Sequence, residues 1–245
     1  MPVERHVRCG NCSVAKLCLP GGLSASEIDK MEEVAEQKRL LHTKDYLYRA
    51  GDHFTGLYAV RSGSFKSVVV AANGDSQITG FTFPGEILGL DAYKGKTHTS
   101  YAEALETSTV CMLPFDQLET LAQKIPVLQR HMYSIFSEEI QQENEILLLL
   151  GKRSADMRMA AFLINLSSRY SQRGYSASRF HLPMPRSDIA NYLGITLETV
   201  SRILTRLQKS GVIQVMQREV EITNMLALSE LAGTHCAIHE EENRA

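Results

Sequence analysis

With 245 residues, 44% of them hydrophobic, the chain can bury one large core or two ordinary ones without covalent staples. Its five cysteines, an odd count, do not read as a disulfide framework, and 26 Lys or Arg against 28 Asp or Glu exclude no class of partner until the charge is divided along the chain. MPVERHVRCGNC lacks the apolar core of a signal peptide, and the longest aliphatic run, Ile146 to Leu150, is far too short to span a bilayer, so the expected compartment is the cytoplasm, with no membrane partner.

Three of the cysteines fall in ten residues, CGNCSVAKLC, as C-x2-C-x5-C at Cys9, Cys12 and Cys18. In a reducing compartment so tight a group points to metal binding or redox chemistry, and a tetrahedral site then asks for a fourth ligand from elsewhere. Next, Leu23-Ser24-Ala25-Ser26-Glu27-Ile28 predicts a helix start: Ser24 caps, Glu27 three residues later completes the box, and Leu23 staples to Ile28. From about residue 40 to 114 the texture becomes short apolar and β-branched runs, such as Leu57 to Val60, Phe65 to Val70 and Thr109 to Leu113. Turn glycines at Gly51, Gly63, Gly74 and Gly85 divide them at intervals of 12, 11 and 11 residues, which predicts an antiparallel barrel or jelly roll. Asn73-Gly74 is the strongest hairpin signal among them.

Beyond Pro126 the period becomes helical for more than twenty residues. Tyr133, Phe136, Ile140, Glu143, Leu147 and Leu150 are spaced 3, 4, 3, 4, 3, a coiled-coil seam that predicts a parallel homodimer. Glu143 breaks the seam: across a two-fold axis it faces its own copy, and like charges at a partly buried contact oppose association. The acid therefore suggests a dimer kept weak so that another signal decides whether it forms.

Residues 151–218 carry 11 Lys or Arg against 3 Asp or Glu, a surplus of 8, between flanks that are each acidic by 5. Such a segment suits phosphates. Within it SDIANYLGITLETVSRILTRLQK has helix-turn-helix spacing: a helix from Ser187 to Leu193 with Ile189, Ala190 and Leu193 inward, a turn at Gly194, and a second helix from near Thr196 to Ser210-Gly211. On that helix Leu197, Val200, Leu204 and Leu207 are expected inward, leaving Glu198, Ser201, Arg202 and Thr205 on one polar face, with Thr199 beside them. Arg202 can fork onto guanine, Glu198 can accept from cytosine, and Ser201 can meet a base or a phosphate. Val212-Ile213 and Val220 to Ile222 then alternate like a small β-wing, with Arg218 near its turn.

Jelly roll, long helix and winged helix-turn-helix in this order resemble the CRP/FNR superfamily of bacterial transcription regulators over nearly the whole chain, and the motifs resemble its FNR branch most. The resemblance implies a [4Fe-4S] cluster on Cys9, Cys12, Cys18 and Cys111, the last because ALETSTVCMLPF is similar to the branch's Cys-x-x-Pro-Phe segment. It implies that Ser13 and Leu17 tune the cluster, that Glu143 keeps the cluster-free chain monomeric, and that E-T-V-S-R reads two-fold TTGAT half-sites in double-stranded DNA. Loops around Ser62 and Gly74 resemble patches that contact RNA polymerase. Cyclic nucleotide is not expected: Gly85-Glu86 could serve such a pocket, but His98-Thr99-Ser100-Tyr101 lacks the arginine that a cyclic phosphate needs.

The expected architecture is thus α+β: a cysteine-rich segment (1–22), a β-roll sensor domain (23–125), a dimerisation helix (126–152), a winged helix-turn-helix domain (153–232) and a flexible acidic tail (233–245). The expected function is an oxygen-sensing global regulator, not an enzyme. Spacing alone leaves zinc open as the metal, and a zinc- or thiol-based or nitric-oxide-responsive regulator is the alternative. An electron-transfer protein is disfavoured by the helix-turn-helix. Among leftover groups, His6 is a substitute ligand, while Cys236 with His235 and His239 forms H-C-x2-H in the tail, where adventitious metal binding is expected.

Overall fold

The computed structural model describes residues 8–233, without the side chains of Gln37 and Lys38. His6, His235, Cys236, His239 and the acidic tail lie outside the described residues. The chain divides into two compact units, Met1–Glu143 and Asn144–Ala245, and the division falls inside one long helix.

In the first unit α1 (Ala25–Val34) starts at the expected box: Ser24 N–H donates to Glu27 Oε2 at 2.8 Å. Eight strands follow: β1 (Glu36–Leu41), β2 (Tyr46–Tyr48), β3 (Gly56–Ser62), β4 (Phe65–Val70), β5 (Ser76–Thr82), β6 (Ile87–Leu88), β7 (Tyr101–Ala104) and β8 (Ser108–Pro114). They form two antiparallel four-stranded sheets, ordered β1-β8-β3-β6 and β2-β7-β4-β5. All four turn glycines have positive φ, between +77° and +94°. The β4–β5 connection closes around Asn73-Gly74, where Asp75 N–H donates to Asn73 Oδ1 at 3.1 Å. Helices α2 (Phe115–Lys124) and α3 (Pro126–Lys152) complete the unit's layers.

Side chains alternate between the faces of a strand, and that alternation gives the first sheet two jobs. One face, with Val60 and Val110, meets Phe65, Leu47, Ala102 and Ala104 of the other sheet in a closed core. The opposite face, with Leu57, Ala59, Cys111 and Leu113, is covered by Met31 of α1, Leu118, Leu121 and Ala122 of α2, and Cys9 and Leu19 of the cysteine segment. Cys111 is therefore delivered to the outer face of a central strand, beneath the N-terminal segment.

Helix α3 begins buried, at Leu128 and Met132, and then loses its cover. Tyr133, Ile140 and Leu147 are 62%, 59% and 70% exposed. Glu143 is exposed between them. Two other seam residues are half-buried on their own chain: the Phe136 ring lies 6.0 Å from that of Tyr93, and Leu150 lies against the turn at Gly194. No helix among the described residues is long and apolar enough to cross a membrane.

In the second unit α4 (Ala155–Gln172) packs on a three-stranded sheet's edge and on the helices that follow. The elements are β9 (Arg179–His181), α5 (Arg186–Leu193), α6 (Leu197–Lys209), β10 (Ile213–Met216), β11 (Glu219–Ile222) and α7 (Met225–Ala232), with sheet order β10-β11-β9. Ile189, Ala190 and Leu193 of α5 are buried as expected. On α6 the buried set is Val200, Ile203, Leu204 and Leu207. Leu197, expected inward, is 46% exposed, because it opens the helix a turn before the packed stretch and Ile203 fills the i+3 place instead.

Candidate metal centre and nucleic-acid interface

The cysteine segment is a succession of tight turns. Cys12 N–H donates to Cys9 O and Ala15 N–H to Cys12 O, each at 3.1 Å; a 3-10 turn runs over Ala15–Leu17, and Gly21 N–H donates to Cys18 O at 2.8 Å. The winding is fixed from outside by Gly10 N–H, which donates to Glu32 Oε1 of α1 at 2.9 Å. It brings Cys9, Cys12 and Cys18 to the wall of one cavity of about 30 Å³, whose floor is Cys111 with Ala59, Val60, Arg61 and Leu113. None of the four thiols is in a disulfide.

Burial, with the neighbouring thiols, pushes Cys9 up to about 11, while the Arg61 guanidinium pulls it down; burial likewise pushes Cys18 up to about 12. Left to themselves these groups are neutral thiols, and a cationic centre that takes them as thiolates must displace their protons. The donor set is sulfur alone. Among the described residues no three His, Cys, Asp or Glu side chains are gathered closely enough to hold a single metal ion, while the four cysteines line one cavity.

Two contacts seat the segment on its surroundings. A Cβ at Gly85, whose φ is +94°, would stand 2.8 Å from Leu17 Cβ, so the barrel turn at Gly85-Glu86 is where Leu17 rests. His131 Nδ1 on α3 lies 3.2 Å from the Leu19 carbonyl. Leu17 keeps 37% of its surface exposed, and Ser13, beside Cys12, is exposed.

Across the barrel, Asp91 occupies the donors near His98-Thr99-Ser100. Its Oδ2 accepts from Thr99 N–H at 2.8 Å, Ser100 N–H at 3.0 Å and Ser100 Oγ at 2.9 Å, and Oδ1 lies 3.1 Å from His98 Nδ1. Burial opposes this charge, but the hydrogen bonds from His98, Thr99 and Ser100 outweigh it and hold the carboxyl below its ordinary range. The His98 ring stacks on Tyr48 at 3.7 Å.

In the helix-turn-helix, Gly194 (φ +61°) ends α5 in the left-handed region, with Ile195 N–H donating to Ala190 O at 3.0 Å. Thr196 caps α6, its Oγ1 accepting from Thr199 N–H at 3.2 Å. Glu198, Arg202 and Thr205 are exposed on one face, with Ser201 half-buried between them. The Glu198 carboxyl is held below its ordinary range by its own backbone N–H and the Thr196 hydroxyl, and is an ionised acceptor. Arg202 Nη2 donates to Thr199 Oγ1 at 3.1 Å, so Thr199 steers the arginine.

Residues 157–231 match the family model of a Crp-like helix-turn-helix domain, and residues 38–125 that of a cyclic nucleotide-binding domain. The chain is 46% identical to the anaerobic regulatory protein of Aggregatibacter actinomycetemcomitans, over 94% of this chain and 89% of that one. It is 44% identical to the fumarate and nitrate reduction regulatory protein of Escherichia coli K12, over 93% and 91% respectively. This chain belongs to the FNR-type regulators of the CRP/FNR family. The structure of FixK2 from Bradyrhizobium japonicum superposes with a TM-score of 0.74 at 30% identity, covering 81% of this chain and 97% of that one. A CRP/FNR member is a transcription regulator that binds DNA, not an enzyme, and the β-rich first domain, long helix and helix-turn-helix agree with the expected class.

Part of this regulator's basic surplus is spent inside the chain: Arg153 and Arg158 are half-buried, whereas Arg206 and Arg218 stay exposed although each has a partner. Arg158 donates to Arg153 O at 3.0 Å, Leu193 O at 2.9 Å and Leu150 O at 2.6 Å, tying the ends of α3 and α5 to α4. Arg153 donates to Ala232 O at 2.9 Å, Arg218 to Pro183 O at 3.1 Å, and Arg206 pairs with Asp156. No spacing rule marks an arginine as a binder of helix-end carbonyls; the local signal in this stretch is the Ser154 cap with Asp156 in the first turn, which marks the start of α4 and nothing more.

Because the FNR-type chain seats Leu17 on a left-handed glycine, Gly85→Ala is expected to cost about 1–2 kcal/mol in backbone strain alone. It should also displace the cysteine segment. The thermal unfolding midpoint should fall; an unchanged midpoint would mean the segment does not need this seat.

Proposed function

We propose that this chain is an oxygen-responsive regulator of anaerobic gene expression, a DNA-binding homodimer when its four cysteines hold a [4Fe-4S] cluster and a monomer in oxygen. The observation that carries this reading is the shared cavity of Cys9, Cys12, Cys18 and Cys111, three thiols from a turn-rich segment and one from a barrel strand. All-sulfur ligation suits iron and sulfide. Four cysteines would also suit zinc, and it is the likeness to FNR-named relatives that favours the cluster. The names of the curated relatives support the anaerobic role. When bound, the cluster supplies oxygen-labile bonds that join the segment to β8.

The chain's own residues do the rest. The segment holds the start of α3 through Leu19 and His131. Tyr133, Ile140 and Leu147 offer an apolar seam to a second copy, with Phe136 and Leu150 partly turned toward their own chain. Glu143 opposes that pairing, so association depends on how α3 is held. In the dimer two α6 helices enter successive major grooves of a two-fold site with TTGAT-like halves, where Arg202 forks onto guanine, Glu198 accepts from cytosine, and Ser201 and Thr205 meet neighbouring bases or phosphates. Exposed Ser62 and the turn at Gly74 are candidate contacts for RNA polymerase. Cyclic nucleotide is disfavoured because a carboxylate, Asp91, already takes the donors that a phosphate would need.

Anaerobic purification with visible absorbance and iron and sulfide assay tests the reading. A coloured protein with about four of each per chain is expected. A colourless one with a single zinc would sink it in favour of a zinc-based regulator. In the same preparation, Glu143→Ala should raise the dimer fraction in air several-fold by sedimentation; an unchanged fraction removes the seam argument.

A further inference from the structure

The Arg61 guanidinium is the unexplained group beside the cysteines. Among the described residues its Nη1 is the one buried side-chain nitrogen or oxygen with no hydrogen-bond partner. Buried charged donors are ordinarily satisfied, and an exception calls for a reason.

The strand pairing puts Arg61 there. Along β3 and β8, Ala59 stands opposite Cys111 and Val60 opposite Val110, but Ser62 stands opposite Thr109, so Arg61 is an extra residue with no counterpart. A bulge of this kind bends its strand and re-aims a side chain. Here it leaves Arg61 on the wall of the cavity that the four thiols share.

We propose that Arg61 is a further ligand-holding residue of this site, its buried Nη1 donating a charge-assisted hydrogen bond to the anionic group that the four thiolates hold. The inference rests on the reading above only in taking the four cysteines as a metal site. Four thiolates leave either an iron-sulfur cluster or a zinc ion net negative, and a guanidinium at the wall offsets that charge where water has little access. The donor lacks a partner in the bare chain because its acceptor belongs to the bound group. Arg61 touches the group without coordinating it, so it governs how firmly the group is held and at what potential it takes up an electron.

The test uses the full chain purified without oxygen, comparing the parent with Arg61→Met, which keeps bulk and removes charge, and Arg61→Lys, which keeps charge. Under an anaerobic iron chelator, R61M is expected to lose its visible absorbance about tenfold faster than the parent, with R61K between them. The reduction potential of the bound group should fall in R61M and recover in R61K, a difference that a purely structural role would not give. Equal half-lives and equal potentials in all three proteins overturn the proposal. Should R61M fail to fold, R61K and Arg61→Gln carry the comparison, and both matching the parent overturns it equally. A parent that carries zinc refutes the cluster but not this inference, which is then read as zinc release, expected fastest in the variant lacking the charge.

Discussion

Cys111→Ala, purified without oxygen, is expected to be colourless, with iron and sulfide near background, and to bind its DNA site at the non-specific level, a loss of roughly 10³-fold or more. The size follows from geometry. The other three cysteines sit on one short segment and can lose their grip together, whereas Cys111 is fixed on β8 between β1 and β3. Without it the proposed cluster would have no ligand on the barrel. Cys236→Ala is the matched control and should retain parental iron, colour and DNA affinity. If Cys111→Ala keeps its colour while Cys236→Ala bleaches, the assignment of the fourth ligand is wrong. Affinities are to be compared at one salt concentration, since the phosphate contribution changes steeply with ionic strength.

Arg202→Ala carries the second large effect. A well-formed bidentate contact to guanine discriminates by about 1–3 kcal/mol, and a homodimer makes the contact twice. Binding should therefore weaken by about 2–6 kcal/mol, on the order of 30-fold to 10⁴-fold. The loss should concentrate at one base pair of each half-site, so that parental and mutant proteins differ little on a site already altered there. Fluorescence anisotropy with single-position variants of the site checks this. A uniform loss across all sequences would instead make Arg202 a phosphate contact. Thr199→Val should give a smaller loss of the same character, because Thr199, half-buried, accepts a hydrogen bond from the arginine at 3.1 Å.

Local rules carried far in this sequence where the cause is local. The Ser24–Glu27 box, the positive-φ glycines of the barrel and the Gly194 turn each depend on a few neighbouring residues, and each stands where spacing indicates. The placing of Cys111 came from likeness to a motif rather than from physics; alternation along β8 says only that it lies on the opposite face from Val110. Arginines were the least legible. Arg158 and Arg61 count as one positive charge each in a composition, yet one binds four carbonyls and the other lies beside the thiols. The destination of a long side chain depends on what tertiary structure brings within its reach. Leu197 failed for a similar reason: periodicity finds a helix's apolar stripe but not how far along the helix its cover extends.

The contact between His131 and the Leu19 carbonyl lies near the start of α3, and from Met132 to Glu143 the helix has neither proline nor glycine. Kinks need such a residue, an inserted group or a bulge in the helix, so nothing in the sequence lets this stretch bend locally. It behaves as a stiff rod about 18 Å long between His131 and Glu143. Any reorientation imposed at its first turns is handed on undiminished, and the acid travels with the apolar residues on either side of it. Tyr133, Ile140 and Glu143 are accordingly geared together, so that in the proposed dimer attraction and repulsion would not be adjusted separately and the seam would engage or disengage as one piece.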